Sequence, residues 1–335
     1  MSAMPLGVSV MPLENRHETL IGVATLAERL GYASYFLPET WAYDVTVLMA
    51  EAAFRTQRLL LGTGILGVWG RSAGTLAMGA ASLAEASAGR FVLGLGASTA
   101  QLTEGLHDVP FVAPLARMRR TVTQVRALLR GERVPLAVAT GARPLKLNLP
   151  LRIDVPIFLA SLTDESVRLT GELADGWLPF MYPRRCLAQG RALLREGAAR
   201  SGDPDRPVSV YPAVPTVVSD DPAEARVGAA WFVSFYLTTM GPLYRRSLAR
   251  QGFSREIDQV LGANSPRFTG TVPPEAELLL DELTVFGTPE QARERLARWR
   301  EAGADMPLVF IRPNLEPAEI ERTLSAFTPM LESRQ

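Results

Sequence analysis

The sequence predicts an α/β protein of the (β/α)8 TIM-barrel class, and three observations predict it. Short apolar runs alternate with amphipathic stretches about eight times along the 335 residues, the pattern of parallel strands each followed by a helix. Open doubly wound sheets usually have fewer strands, so eight pairs favour a barrel. No Pro/Ser-rich linker, charge block or sequence repeat divides the chain, so residues 1–335 read as one domain with a helical insertion at about 219–286, between strands seven and eight.

LGVSV (6–10) is the first strand, and residues 18–30 form a helix closed by Gly31 just past its end. ASYFL (33–37) is the second strand, after which Asp44 caps a helix reaching residue 55. LLLGTG (59–64) and FVLGL (91–95) are strands three and four, separated by an Ala-rich helix over 73–88. A helix over 115–129 leads to PIFLA (156–160), the fifth strand, and then to a helix over 165–174. DGWLPF (175–180), a helix over 184–200, residues 208–218 and MPLVFI (306–311) complete the series. The insertion has helical stretches around Trp231 and Leu278 with the turn-rich NSPRFTGTVPPE between them, and is expected over one mouth of the barrel.

Composition narrows the function classes. Lys plus Arg and Asp plus Glu both total 35, so no overall basic field would attract nucleic acid or an anionic membrane. Lys146 is the only lysine, which argues against a Schiff base or a Walker-type phosphate lysine. Cys186 is the only cysteine, so an intramolecular disulfide and a multi-cysteine metal site are excluded. His17 and His107 are too few and too far apart in sequence for a metal centre or a triad. The N-terminus lacks a signal-peptide pattern and no 18-residue uncharged apolar run occurs, so the expected location is cytoplasmic.

In a barrel, the residues that carry chemistry stand at the C-terminal ends of strands. Here they are Pro12 and Glu14; Glu39, Thr40 and Trp41; Gly64, Ile65 and Trp69; Ala97, Ser98 and Thr99; Ala160, Ser161 and Thr163; and Phe180 with Met181. Small and hydroxylated residues dominate, which suits a flat cofactor with a polar tail and not a metal ion. GLGAST lacks the third glycine of a Rossmann fingerprint; Gly94 and Gly96 are expected to let the strand end turn.

Glu39 is either an acid–base group, a ligand to a cofactor ring, or a solvated loop carboxylate. His107 is a candidate proton donor. Trp41 and Trp69 read as pocket wall or core, Cys186 as an idle thiol, and the RMRR run (117–120) as a solvated helix face with one arginine able to reach a phosphate.

Taken in order, LAERLGYASYFLPET (26–40), RLLLGTGILGVWGRSAGTLAMGAASLAEASAGRFVLGLGAS (58–98), LASLTDESVRLTGELADGWLP (159–179) and FGTPEQARERLARWREAGAD (286–305) resemble the bacterial luciferase-like superfamily of flavin and deazaflavin oxidoreductases. Within it the chain is most similar to reductases that use the deazaflavin coenzyme F420, of the methylenetetrahydromethanopterin reductase kind. FMN-dependent monooxygenases, supplied with reduced flavin by a separate reductase, are the near alternative.

The resemblance implies a non-prolyl cis peptide at Gly64–Ile65 beneath the cofactor ring. It also implies cofactor contacts from Glu39, Thr40, Gly96, Ala97, Ser98, Thr99, Ala160 and Ser161. The aromatic and apolar residues of the expected mouth, Trp41, Trp69, Phe180 and Met181, read as the substrate pocket. A homodimer is expected at family level. The family's alcohol and sugar-phosphate dehydrogenases carry a histidine where this chain has Thr40 and an acid where it has Thr99, and their phosphate-binding lysines are missing.

The implied direction is therefore reduction: hydride passes from reduced F420 to a C=C or C=N bond of a bulky small molecule, and Glu39, His107 or solvent supplies the proton. A ligand-binding barrel without catalysis is the reading from another class.

Overall fold

The computed structural model describes residues 4–149 and 154–331. Its strands are β1 Gly7–Val10, β2 Ser34–Leu37, β3 Leu60–Thr63, β4 Leu66–Gly67, β5 Phe91–Gly96, β6 Ile157–Ala160, β7 Gly176–Trp177, β8 Ser209–Val210, β9 Ala213–Val218, β10 Val285–Gly287 and β11 Leu308–Ile311. The helices are α1 His17–Leu30, α2 Val45–Arg55, α3 Ala73–Ala86, α4 Ala100–His107, α5 Pro114–Leu129, α6 Asp164–Leu173, α7 Leu187–Arg200, α8 Pro222–Thr238, α9 Pro242–Arg250, α10 Ser254–Ala263, α11 Glu277–Leu283, α12 Pro289–Glu301 and α13 Pro317–Ser325. The predicted α/β class, strands alternating with helices along the chain, is borne out. Among the described residues no helix is long and apolar enough to cross a membrane.

The chain forms two compact units, one holding residues 34–178 and 193–209, the other residues up to Ala33, Pro179–Ala192 and those from Val210 onward. In the first, β2, β3, β5, β6 and β7 are parallel neighbours and β4 pairs with β5. All six residues of β5 are buried, as expected of a parallel strand covered on both faces.

Gly94 and Gly96 lie inside β5, not at a turn after it, which corrects the sequence expectation. A Cβ on Gly94 would stand 1.8 Å from the Thr63 carbonyl oxygen, and one on Gly96 would stand 2.7 Å from Ile65 Cδ1. These glycines permit close approach of neighbouring chain. The Thr63 hydroxyl completes the contact, donating to the Gly94 carbonyl at 2.8 Å and accepting from the Gly94 amide at 2.9 Å.

In the second unit the neighbouring strands run β10-β9-β11-β1, and each adjoining pair is parallel. The α1 helix ends as predicted: Gly31, at φ 92°, sends its N–H back to the Ala27 and Glu28 carbonyls. The 219–286 segment supplies α8 to α11, the predicted helical insertion. Its last residues also begin β10, a strand too short for hydrophobic periodicity to reveal. The 208–218 run divides into β8 and β9 at Pro212, which has no N–H to give to a ladder. A buried cluster containing Phe232, Tyr236, Phe253 and Phe310 forms part of this unit's core.

Candidate functional site

In the 34–178 unit, the C-terminal ends of four strands meet through their backbones. The Gly64 amide donates to the Leu37 carbonyl at 2.9 Å, and the Glu39 amide donates to the Ile65 carbonyl at 3.2 Å. The short β4 then runs beside β5, pairing Gly67 with Gly96, while Gly96 also pairs with Ala160 on β6. Glu39, Gly64, Ile65, Gly96, Ala97, Ser98 and Ala160 are thereby brought together. At this level the chain passes from buried to half-buried at three strand ends: Thr63 to Gly64, Gly96 to Ala97, and Leu159 to Ala160. The peptide joining Gly64 and Ile65 is cis, as the resemblance implied.

Glu39 is the most constrained polar group of this set. Arg71 grips its carboxylate with two nitrogens, Nη1 on Oε1 and Nη2 on Oε2 at 2.8 Å, and the Val45 amide donates to Oε2 at 3.0 Å. Arg71 also reaches Asp44 Oδ1 at 2.8 Å. Its bond to Glu39 raises the guanidinium pKa despite the opposing effect of burial. Burial opposes ionisation of Asp44, but hydrogen bonds from Thr46 and Arg71 outweigh it and hold this carboxyl below its ordinary range.

Asp44 also caps α2, accepting from the Thr46 amide. Both oxygens of Glu39 are therefore engaged, and its side chain fastens the turn after β2 to the segment after β4. No local signal announces this pairing, because Glu39 and Arg71 are 32 residues apart.

The turn after β5 has a different origin. Ser98 adopts a left-handed conformation at φ 57°, and Thr99 becomes the N-cap of α4, its hydroxyl accepting from the Leu102 amide at 3.3 Å. This eight-residue helix lies in a segment for which the sequence predicts no regular element. It leaves His107 exposed in its last turn and against Gly70, where an added Cβ would meet the imidazole at 2.6 Å.

Trp69 is buried, its indole N–H donating to the Ala97 carbonyl at 2.7 Å and its ring lying 5.2 Å from Phe111. Arg117 lies over the same indole and donates to the Val68 carbonyl at 3.0 Å. Trp41, by contrast, is 52% exposed, and Thr40 is half-buried beside Glu39.

Ser161 is buried and already committed: its hydroxyl contacts Thr170 at 2.6 Å and its carbonyl accepts the Trp177 indole N–H. Phe180 and Met181 belong to the second unit, where Met181 is buried in the hydrophobic cluster and Phe180 packs against it. The Cys186 thiol is half-buried, and burial raises its pKa. Arg71 and Arg117 are the contributors that strand-end reasoning missed.

Known proteins resemble the chain over nearly its whole length. A protein of Mycobacterium tuberculosis, named for coenzyme F420-dependent oxidoreductase activity, is 29% identical over 337 residues, covering 92% of this chain and 95% of its own. The structure of the F420-dependent tetrahydromethanopterin reductase from Methanopyrus kandleri superposes with a TM-score of 0.75 at 16% identity, covering 98% of this chain and 99% of that one. A type II Baeyer–Villiger monooxygenase component from Pseudomonas putida, solved with FMN, gives 0.74 at 17% identity, with 98% and 99% covered. The luciferase-like monooxygenase family model matches residues 4–306, and the chain belongs to that family of oxidoreductases.

Proposed function

We propose that the chain is an F420-dependent reductase that delivers a hydride to a C=C or C=N bond of a bulky small molecule. The observation that carries this reading is the half-buried set Gly64, Ile65, Ala97, Ser98 and Ala160 gathered at adjoining strand ends. It is a cradle of small residues and Ile65 against which a flat ring can lie with backbone groups in reach. The F420 dependence for which the mycobacterial relative and the methanogen reductase are named supports the deazaflavin in particular.

When bound, a reduced deazaflavin supplies the hydride. The chain's own residues would hold and shield it. Thr99, Ser98 and the first amides of α4 suit an anionic tail, because a helix N-terminus carries partial positive charge. Glu39, doubly bound to Arg71, serves as a positioning group for the ring-side turn and not as the free acid. His107, exposed at the end of α4, and solvent remain as sources of the proton. Thr40 and Thr99 cannot act as the histidine and acid of the family's alcohol dehydrogenases, which favours the reductive direction.

A titration of the purified chain with oxidised F420 and with FMN, followed by fluorescence, tests the proposal. Saturable binding of the deazaflavin with weaker FMN binding is expected; tight FMN binding with none of the deazaflavin would overturn it. The fold shared with the FMN-bound monooxygenase supports the second reading, an FMN monooxygenase served by a separate reductase. Oxygen-dependent turnover would select that reading.

A further inference from the structure

In the unit that contains α8 and α9, four aromatic rings crowd together. Phe180 lies edge-on to Tyr236 at 4.7 Å and to Tyr244 at 5.8 Å, and its ring is 5.0 Å from Phe310. Tyr236 and Tyr244 meet at 5.3 Å with their planes perpendicular. Ring packing accounts for the burial of Tyr236 and Phe310 and the partial burial of Phe180 and Tyr244; it does not account for the two tyrosine hydroxyls.

Tyr236 is 1% exposed, yet among the described residues neither its hydroxyl nor that of Tyr244 has a hydrogen-bond partner. Buried polar groups are almost always paired, and a buried donor without an acceptor costs free energy. Among the described residues, the partnerless side-chain atoms sealed from solvent are those of Thr103, Gln251, Gln259 and Trp299. The two tyrosine oxygens are not among them, so each keeps a trace of exposure. Burial pushes the Tyr244 hydroxyl up to about 12, and burial with the neighbouring Tyr244 raises Tyr236 well above its ordinary value. Both therefore remain protonated and can donate.

We propose that Tyr236 and Tyr244 hydrogen-bond the acceptor oxygen or nitrogen of a neutral, ring-bearing ligand that packs among Phe180, Phe310 and Phe235. Phe235 extends the aromatic surface, standing 5.8 Å from Tyr236 and stacked at 5.2 Å on Trp231. Among the described residues the guanidiniums that stand over this cluster's rings lie on Phe253 and Phe286, not on Phe180, Tyr236, Tyr244 or Phe310, which suits a neutral ligand. Identifying that ligand as the substrate, a ring-bearing conjugated ketone or imine, rests on the reductase reading; the binding site itself does not.

Two probes of nearly equal shape test the site: 2-acetylnaphthalene, which has a carbonyl acceptor, and 2-ethylnaphthalene, which has none. Calorimetric titration of the full chain is expected to show about tenfold tighter binding of the ketone. The double variant Y236F/Y244F should bind both probes equally, with a melting temperature equal to or above that of the parent, because each lost hydroxyl had no protein partner.

Equal binding by the parent, binding of neither probe, or a ketone preference that survives in the double variant would overturn the proposal. So would a fall of several degrees in the double variant's melting temperature, which would expose a protein partner. Oxidised F420 and FMN are titrated into the same preparation. A parent that prefers the ketone but binds neither cofactor would remove the oxidoreductase reading while leaving this site standing.

Discussion

At its strand ends the 34–178 unit presents Gly64, Ile65, Ala97, Ser98 and Ala160, half-buried and small apart from Ile65, held in place by backbone bonds and the Glu39–Arg71 ion pair. The other unit places Phe180, Tyr236, Tyr244 and Phe310 around its β11 strand, held by ring against ring. One surface is suited to recognition by backbone and hydroxyl groups at short range; the other is suited to apolar bulk with a few directed donors. On the proposed reading the first region would hold a flat cofactor and the second would choose a substrate. The difference also predicts that the two surfaces fail in different ways.

The largest effect is expected in the aromatic cluster. Phe310→Ala removes a buried ring that packs on both Phe180 and Phe232 and should cost about 3–5 kcal/mol, measured by denaturant unfolding. Gly94→Ala forces a methyl against the Thr63 carbonyl and should cost about 3 kcal/mol by overpacking. A neutral result would show that β3 and β5 can separate at no cost. Gly79→Ala on α3, where an added methyl meets nothing within 4 Å, is the matched control and should gain up to about 1 kcal/mol from helix propensity.

Arg71→Ala leaves the Glu39 carboxylate partly buried and without its main partner, and a loss of about 2 kcal/mol is expected. The same variant should flatten one limb of the stability–pH profile. Asp44 has a folded-state pKa below its ordinary value, so its contribution is present above about pH 3.9 and is lost as pH falls through the lower folded value. Removing Arg71 takes away one cause of that depression; an unchanged acid limb would mean that Thr46 alone sustains it. Trp69→Phe is the mildest change, leaving the Ala97 carbonyl without the indole N–H at a cost of about 1 kcal/mol. Because that carbonyl belongs to the cofactor-side turn, cofactor affinity should fall with it, whereas Phe310→Ala acts on the other surface.

Legibility in the sequence followed the range of the interaction. Helix α1 with its Gly31 terminus and α2 with its Asp44 cap were readable because their signals lie within one turn of the chain. Strand β5 was readable from an apolar run, but the work of its glycines was not, since the Thr63 carbonyl that excludes a side chain comes from 31 residues away. The strand-end rule named Glu39, Gly64, Ile65, Ala97, Ser98 and Ala160, which adjoin in the structure. It missed Arg71, whose place on Glu39 depends on how β4 leads the chain back. Helix α4 carried a usable signal in Thr99 as an N-cap, but its eight residues have only Thr103 buried and hence no apolar stripe to read.

Hydrogen exchange with and without saturating oxidised F420 tests the placement of the cofactor most directly, because it reads the bound location without any substitution. Slowed exchange is predicted in residues 38–45, 64–70 and 96–102, the three segments that carry Glu39, Ile65 and Thr99. Bound cofactor with unchanged exchange across all three would contradict the placement of the site.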